Sequence, residues 1–182
     1  MIGFRHRRLL HALAAGDEVE RWEAARQLSH KDDPATLRKL QRLLESSSSD
    51  DARGAAAYVL GFSGKTELAP PLARVLADRA DAAAVRAYAA EALGHLLQYE
   101  TVLAEVRTAI LGGLRDPAPE VRFWSAFAAG VLELHETRPY LVHLADTDGA
   151  EIEGWWTVAE EAEWSLRVLN GEEDPPLPNR LA

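Results

Sequence analysis

The chain contains no cysteine, and aromatic residues make up only 7% of its 182 residues. The absence of cysteine excludes a disulfide framework, a thiolate metal site and a cysteine nucleophile. β-Branched residues are few, whereas β-sheets are usually rich in Val, Ile and Thr. No apolar run approaches the ~18 residues that span a bilayer, so we predict that the chain does not enter a membrane.

Positive charge is scarce as well. The 20 Lys and Arg residues are outnumbered by 29 Asp and Glu residues, which gives a net charge of -9. Nucleic-acid-binding proteins draw most of their affinity from clustered Lys and Arg, so this balance argues against a nucleic-acid partner and favours a basic one. The N-terminal apolar run is interrupted by His11 and followed by acidic residues, which makes a poor secretory signal and predicts a cytoplasmic protein.

An alanine-rich segment recurs along the chain, with steps of 32, 33 and 36 residues between its four clear copies. The copies are ERWEAARQLS at 20–29, ARGAAAYVLG at 52–61, VRAYAAEALG at 85–94 and VRFWSAFAAG at 121–130. A weaker fifth copy surrounds TVAEEAEWSL at 157–166, and it keeps a small residue in the same column. The column consists of Ala25, Ala57, Ala90, Ala126 and Ala162. Such self-similarity predicts a repeat protein.

Leucine-rich segments alternate with the alanine-rich ones, and their leucines recur every three or four residues, as on one stripe of a helix. Pro34, the pair at 70–71 and Pro139 are predicted to lie near the starts of these helices. Gly61, Gly94 and Gly130 are predicted to cap the ends of the alanine-rich helices. The repeating unit is therefore predicted to be two antiparallel helices joined by short turns.

These units predict an all-α fold, an α-solenoid of about five antiparallel helix pairs, because one pair cannot bury its apolar face alone. We assign residues 1–170 to a single repeat domain and residues 171–182 to an irregular tail rich in Pro and acid. The domain begins with a helix over 2–15. The repeats then cover approximately 18–49, 50–80, 81–116, 117–149 and 150–170.

The alanine-rich segments resemble HEAT repeats of the short type associated with phycobilin lyases, whose units read roughly Asp, a short gap, Val-Arg and Ala-Ala-x-Ala-Leu-Gly. Asp81 with Val85-Arg86 and Asp116 with Val121-Arg122 match best. Asp50 or Asp51 with Arg53 matches fairly, and Asp17 with Arg21 more weakly. The resemblance covers nearly the whole chain and implies that Asp and Arg form a hydrogen-bonded ladder between repeats. The fifth unit departs from the pattern because it lacks the arginine.

No set of residues predicts an enzyme. The sequence GFSGKT at 61–66 copies the end of a phosphate-binding loop but lacks the first glycine and the preceding strand. The paired His-Glu motifs that hold iron in deoxyhypusine hydroxylase are represented only by His135-Glu136, which is too few ligands for a metal. His30 and His95 are predicted to lie at the negative ends of their helices. Glu160, Glu161 and Glu163 are predicted to form a solvated acidic surface. We therefore predict no catalytic residue, metal or cofactor.

A candidate partner-binding strip emerges when the repeats are superimposed. One column contains Trp22, Gly54, Ala87 and Phe123, and the column four residues later contains Arg26, Tyr58, Glu91 and Phe127. Residues four apart share a face of a helix. If this face is concave, as the resemblance implies, an aromatic strip would lie there beside Arg26 and Glu91; core packing of Phe123 and Phe127 is the alternative. Trp155 and Trp156 are adjacent and cannot both point inward, so at least one is predicted to cover the end of the solenoid or contact a partner.

These features predict a noncatalytic scaffold or adaptor whose concave surface captures a basic or amphipathic segment of another protein. An inhibitor or immunity-type protein that blocks a basic partner is one form of this role. The alternative is a subunit similar to phycobilin lyases, in which the same aromatic residues would hold a tetrapyrrole carried by a partner.

Overall fold

The structure of the chain is a computed structural model that describes residues 4–29 and 33–180. Within these ranges it contains ten α-helices and two 3-10 helices, Thr66–Leu68 and His135–Thr137, and the only β-pairing is an isolated bridge between Glu151 and Thr157. The α-helices are α1 Phe4–Ala15, α2 Glu18–Leu28, α3 Pro34–Ser46, α4 Asp50–Gly61, α5 Ala69–Ala77, α6 Ala83–Leu97, α7 Ala104–Gly113, α8 Pro119–Val131, α9 Arg138–Thr147 and α10 Val158–Leu169. The predicted all-α fold is confirmed.

The helices form two layers. Each odd-numbered, leucine-rich helix packs against the even-numbered helix that follows it, giving five helix pairs among the described residues. The even-numbered helices pack side by side in chain order and form the inner layer, while the odd-numbered helices form the outer layer. Because each pair contacts mainly its neighbours, the molecule is an α-solenoid, as predicted. His30 and the first two residues of the predicted helix 2–15 lie outside the described residues.

Local sequence signals explain where the helices begin. The Asp17 and Thr157 side chains accept hydrogen bonds from the backbone N–H groups of Glu20 and Glu160, whose carboxylates bond back to the cap, so α2 and α10 start with capping boxes. Pro34 occupies the first turn of α3, and prolines take the same place in α5 and α9, as predicted. The resulting short turns keep each helix antiparallel to the previous one.

The alanine column lies in the centre of the inner layer. All five column residues have no exposed surface, as do several leucines that face them from the outer helices, such as Leu40, Leu72 and Leu141. The column consists of Ala25, Ala57, Ala90, Ala126 and Ala162. Small side chains let the inner helices approach closely, and the larger leucines fill the second layer.

The predicted role of three glycines is wrong. Gly94 and Gly130 lie inside their helices, and Gly61 is the last residue of α4 rather than a residue beyond it. The left-handed backbone conformation that ends a helix occurs a few residues later, at Gly64, Tyr99 and Glu133.

The three glycines instead allow neighbouring inner helices to touch. A Cβ atom added to Gly61 would lie 2.7 Å from the Cα atom of Ala92 on the next inner helix. At Gly94 it would lie 2.8 Å from the Phe127 ring, and at Gly130 2.8 Å from the Ser165 hydroxyl oxygen. Each glycine therefore serves the contact between its own repeat and the next, which explains why it recurs at one position of the repeat.

The Asp and Arg ladder implied by the resemblance to HEAT repeats is confirmed. Arg53 forms a two-pronged pair with Asp81, and its Nη1 donates to Asp81 Oδ1 at 2.6 Å. Arg86 donates to both carboxylate oxygens of Asp116, from Nη2 at 2.9 Å and from Nε at 3.2 Å. The arginine of one repeat therefore pairs with the aspartate at the start of the next repeat.

The ladder extends further toward the C-terminus than the sequence pattern indicated. Arg122 Nε donates to Asp148 Oδ2 at 2.6 Å, so the segment that leads into the fifth repeat contributes an aspartate, although that repeat lacks the arginine of the Val-Arg pattern. At the other end, Arg21 lies 3.8 Å from Asp51, whose side chain is 80% exposed. The ladder is therefore tight and buried in the middle of the solenoid and loose at its N-terminal end.

Candidate functional site

A cavity of about 460 Å³ lies on the inner layer. Its walls come from α2, α4, α6, α8 and the connecting segment 148–157, which joins α9 to α10. The lining residues are Trp22, Arg26, Tyr58, Ala84, Ala87, Tyr88, Glu91, Glu120, Trp124, Ile152, Glu153 and Trp155. Because residues from the first repeat and from the last line one cavity, the inner layer is the concave side of the solenoid.

The cavity belongs to a longer row of ring contacts, which we call the aromatic face. The Trp22 ring lies 5.3 Å from Tyr88 and 5.6 Å from Tyr58, measured between ring centres. The row continues from Tyr58 to Phe62 and His95, and then to three rings near the C-terminal end. The aromatic face comprises Trp22, Tyr58, Phe62, Tyr88, His95, Trp124, Phe127 and Trp155. It provides an extended π-surface that crosses five helix pairs.

Helical periodicity brings the α6 residues of the aromatic face to one side of the helix. Ala84, Tyr88, Glu91 and His95 are spaced by three or four residues, so they form one stripe on the helix. Gly54 on α4 provides the space for Tyr88, since a Cβ atom there would lie 2.6 Å from the Tyr88 ring. A glycine in the column that holds Trp22 in the first repeat is therefore part of the site.

Glu91 is the carboxylate at the centre of this stripe. The residue is only 7% exposed, and burial raises its pKa to about 7. Among the described residues its nearest charge partner is His95, with Nε2 3.9 Å from Glu91 Oε1. Burial lowers the pKa of His95, so the imidazole is mostly neutral near pH 7 and does not compensate the carboxylate.

The tyrosines beside Glu91 respond to the same environment. Burial, followed by the nearby Glu91 carboxylate, raises the pKa of Tyr88 to about 12. Burial and Glu91 also raise the pKa of Tyr58. Both phenols therefore stay neutral at physiological pH and act as apolar walls with a polar tip.

The charges at the cavity are unbalanced. Three carboxylates, Glu91, Glu120 and Glu153, line it together with one cation, Arg26. Arg26 donates a hydrogen bond to Glu23 on its own helix, so its charge is already paired. The cavity thus combines aromatic walls with an excess of negative charge, which suits an organic cation.

The connecting segment 148–157 closes one side of the cavity. It folds back on itself through a hydrogen bond from the Ile152 N–H to the Trp156 carbonyl at 3.2 Å. Trp155 faces the cavity, whereas Trp156 is 3% exposed and donates from its indole N–H to Glu161 at 2.7 Å. This arrangement agrees with the sequence argument that the two adjacent tryptophans point in different directions.

The C-terminal tail, which contains no helix in its described part, also contacts this region. The Trp164 indole N–H donates to the Pro175 carbonyl at 3.0 Å, and Pro175 is buried. The Arg180 guanidinium lies 4.6 Å from the centre of the Trp155 ring. The tail therefore packs beside the aromatic face rather than extending into solvent.

The structure brings five of the eight predicted site residues to the cavity: Trp22, Arg26, Tyr58, Glu91 and Trp155. Phe127 is half-buried and belongs to the aromatic face, but it does not line the cavity.

Two of the predicted site residues, Phe123 and Trp156, are buried. Phe123 has no exposed surface, since Trp155 and Trp156 of the connecting segment pack around it together with Trp124. Trp156 is buried as well. The prediction that Phe123 lies on the strip is wrong, and neither side chain can contact a partner while the connecting segment is in place.

Sequence reasoning missed Tyr88 and Trp124. Both are half-buried and line the cavity. A signal for them exists in the sequence, because each stands two positions before the column alanine of its repeat, Ala90 or Ala126. Aromatic residues in one column of adjacent repeats would have indicated a shared surface.

The predicted acidic surface on α10 also needs correction. Glu163 is exposed, but Glu160 is engaged in the capping box, and Glu161 is 2% exposed. Glu161 Oε2 accepts the Trp156 hydrogen bond, while its Oε1 has no hydrogen-bond partner in the part of the chain that the structure describes. Burial raises the pKa of Glu161 to about 7, against a smaller lowering by Trp156.

Replacing Glu161 by glutamine is expected to stabilise the protein at pH 8 by about 2 kcal/mol, with little effect near pH 4.5. The unfolded carboxyl releases its proton near its ordinary pKa of 4.5, and the folded one near 7. Between these values the folded state alone keeps the proton, so wild-type stability falls as pH rises through this window. Glutamine accepts the Trp156 hydrogen bond and does not titrate.

Urea unfolding of both proteins between pH 4.5 and 8 measures this difference. Glu163→Gln removes the same charge from the exposed surface of α10 and serves as the matched control. A pH-independent difference between the wild type and Glu161→Gln would contradict the assignment of a raised pKa to Glu161.

In residues 4–29 and 33–180 no group of three or more His, Asp or Glu side chains could hold a metal ion. Across the same ranges, none of the helices combines the length and the apolar character that crossing a bilayer requires.

Several proteins of known structure share this architecture. A sequence comparison with curated proteins finds no match. Among solved structures, the chain is similar to the complex of CpcE and CpcF of phycocyanin lyase from Nostoc sp. PCC7120, with a TM-score of 0.69 and 19% identity, covering 94% of this chain and 67% of that one. At this identity the likeness concerns the fold.

Two further structures are similar. Human deoxyhypusine hydroxylase aligns with a TM-score of 0.54 and 27% identity, and the match covers 71% of this chain and 43% of the enzyme. A designed armadillo repeat protein in complex with the peptide (KR)4 aligns with a TM-score of 0.56 and 18% identity, covering 88% of this chain and 80% of that one.

The family comparison agrees with the fold. The sequence pattern of HEAT repeats matches residues 7–94, which include α2 to α5 and most of α1 and α6. The remaining helices, α7 to α10, continue the same two-layer stacking and the same Asp and Arg ladder. Residues 7–94 are therefore HEAT repeats, and the described helices that follow them continue the same α-solenoid.

Proposed function

We propose that the chain is a noncatalytic protein-binding scaffold whose concave aromatic face captures a basic or amphipathic segment of another protein. The observation that carries this proposal is the cavity on the inner layer, where aromatic walls meet three carboxylates and a single cation that is already paired. Aromatic residues concentrate at the centres of protein interfaces, and complementary charge selects the partner.

The similar structures support a protein partner in general terms. The CpcE and CpcF structure is a complex of two proteins, and the designed armadillo protein was solved with a peptide of alternating Lys and Arg. For this chain, an adaptor role and an inhibitor role toward a basic protein use the same surface. Both, together with a cytoplasmic location, are part of the proposal.

A phycobilin-lyase-like role is the second candidate, favoured by the similarity to the CpcE and CpcF complex and by the flat aromatic walls. The charges of the cavity argue against it. Tetrapyrroles of this class carry propionate carboxylates, which would face Glu91, Glu120 and Glu153 with only Arg26 as a counter-charge. An absorbance change on addition of bilins or haem would support this candidate. Unchanged spectra would exclude it and leave the scaffold function as the proposal.

The double variant Trp22→Ala with Tyr58→Ala is expected to weaken binding of a fluorescently labelled (KR)4 peptide by about 100-fold. Both rings line the cavity and contact each other, and losing two central aromatic residues of an interface costs ~3 kcal/mol. Fluorescence anisotropy at low salt measures the dissociation constant.

The control is Tyr140→Ala, which removes a half-buried aromatic ring from α9 in the outer layer. It is expected to bind the peptide like the wild type. An acidic peptide of the same length should not bind any of the proteins. Undiminished binding of (KR)4 to the double variant, with circular dichroism showing an intact helical fold, would exclude the aromatic face as the binding site.

A further inference from the structure

Glu91 is a buried carboxylate that accepts no hydrogen bond from the described residues. Its side chain is 10% exposed, and its only ion-pair partner within the described residues is the mostly neutral His95 ring, whose Nε2 lies 3.9 Å from Glu91 Oε1. By contrast, the buried aspartates of the ladder each receive a guanidinium, as Asp116 does from Arg86. A buried carboxylate is unfavourable unless it is paired. A bound group that donates hydrogen bonds to Glu91 would therefore be stabilised there.

A donor can reach Glu91 from the cavity, because Glu91 is one of the residues that line it. Trp22 and Tyr88 stand on the same wall, with their ring centres 5.3 Å apart. A planar cation can lie against these rings while its edge points at the carboxylate. A guanidinium has this shape, and it is less strongly hydrated than an ammonium group.

The chain already contains one such pairing beside the cavity. Arg180 in the tail places its guanidinium 4.6 Å from the centre of the Trp155 ring, which forms another wall of the cavity. Arg180 itself is not among the lining residues. The Trp155 wall thus contacts a guanidinium at the edge of the cavity, while the space beside Glu91 remains accessible to a second one.

We propose that the cavity is a recognition pocket for an arginine side chain of the partner protein, held by stacking on Trp22 and Tyr88 and by hydrogen bonds to Glu91. This inference rests on the proposed function and adds to it the residue that the pocket selects. Its volume of about 460 Å³ falls within the range of about 300–1,000 Å³ found for ligand pockets. Glu120 and Glu153 at the same cavity add attraction for the incoming cation.

The pocket also makes binding depend on pH. The groups that face Glu91 are His95 and Tyr88 on α6, Tyr58 on α4, Arg26 on α2, Glu120 on α8 and Glu153 in the connecting segment. The pKa values of both tyrosines are raised, so the phenols stay uncharged from pH 6 to 8, and burial lowers the pKa of His95, so the imidazole is mostly neutral at pH 7 and above. With a pKa of about 7, Glu91 is mostly protonated at pH 6 and mostly charged at pH 8.

The test compares labelled (KR)4 with an octalysine peptide of equal charge on the full chain. We expect (KR)4 to bind the wild type about tenfold more tightly than octalysine at pH 8, and about tenfold more weakly at pH 6 than at pH 8. In Glu91→Gln both the preference for arginine and the pH dependence should disappear. Glu105→Gln removes one charge from the exposed surface of α7 and should retain both.

The outcomes separate this inference from the proposed function. Equal binding of both peptides, or an arginine preference that survives in Glu91→Gln, would overturn the arginine pocket and leave the scaffold function standing. If neither peptide binds the wild type, both the arginine pocket and the scaffold function are overturned. Glutamine at position 91 removes a buried charge, so circular dichroism is expected to show a folded variant.

Discussion

Replacing Asp116 by alanine is expected to lower the free energy of unfolding by about 3–5 kcal/mol, which is the largest effect that we predict. Asp116 is 2% exposed and accepts two hydrogen bonds from Arg86, which is 4% exposed. Without the carboxylate, Arg86 keeps only its hydrogen bond to the Asp81 carbonyl oxygen. A buried guanidinium would then be left without a counter-charge at the contact between two repeats.

Urea denaturation followed by circular dichroism measures this loss. Asp51→Ala is the control within the same ladder, because Asp51 is 80% exposed and lies 3.8 Å from Arg21. It should cost less than about 1 kcal/mol, as exposed ion pairs usually do. Equal losses in the two variants would show that burial does not govern the strength of the ladder.

Replacing Gly61 by alanine is expected to destabilise the protein by about 3 kcal/mol, although alanine is the better helix former. The new Cβ atom would lie 2.7 Å from the Cα atom and 3.0 Å from the Cβ atom of Ala92. Ala92 belongs to the α6 helix, so its backbone atom cannot turn aside as a flexible side chain would. Relief requires α4 and α6 to move apart, which loosens the alanine column that they share.

Gly112→Ala provides the opposite expectation within the same fold. Gly112 lies in α7, and a Cβ atom there has no neighbour within 4 Å. This substitution should stabilise the protein by about 0.5–1 kcal/mol, because only the helix propensity and the entropy of the unfolded chain change. Thermal or urea unfolding of both variants measures the contrast. A gain in stability for Gly61→Ala would show that the inner helices are not in close contact.

Much of the fold could be predicted from the sequence because its signals are local and repeated. The alanine column and the prolines at the helix starts depend on periodicity and on backbone chemistry, which a single repeat contains in full. The ladder followed from the resemblance to HEAT repeats, except for Asp148 in the segment before the degenerate fifth repeat. Gly94 was misread, because its sequence looks like a helix cap, while its true constraint comes from Phe127 in the next repeat.

The candidate site was predictable only in part. Trp22, Tyr58 and Glu91 were identified by superimposing repeats. The method could not distinguish Phe123 from Trp124, since adjacent residues on a helix differ by about a quarter of a turn in direction. Which of them faces the cavity depends on where the connecting segment 148–157 folds, and that segment is longer than the corresponding connections from α3 to α4, α5 to α6 and α7 to α8.

The sequence by itself determined the architecture of this protein, because each helix pair contains its own caps, its own apolar stripe and half of a contact with the next pair. Only the tertiary structure decided where the negative charge and the rings meet. The cavity joins residues from Trp22 to Trp155, and their proximity results from the curvature of the whole stack. The burial of Glu91, and with it the chemistry proposed for the site, is a consequence of that curvature and not of any single repeat.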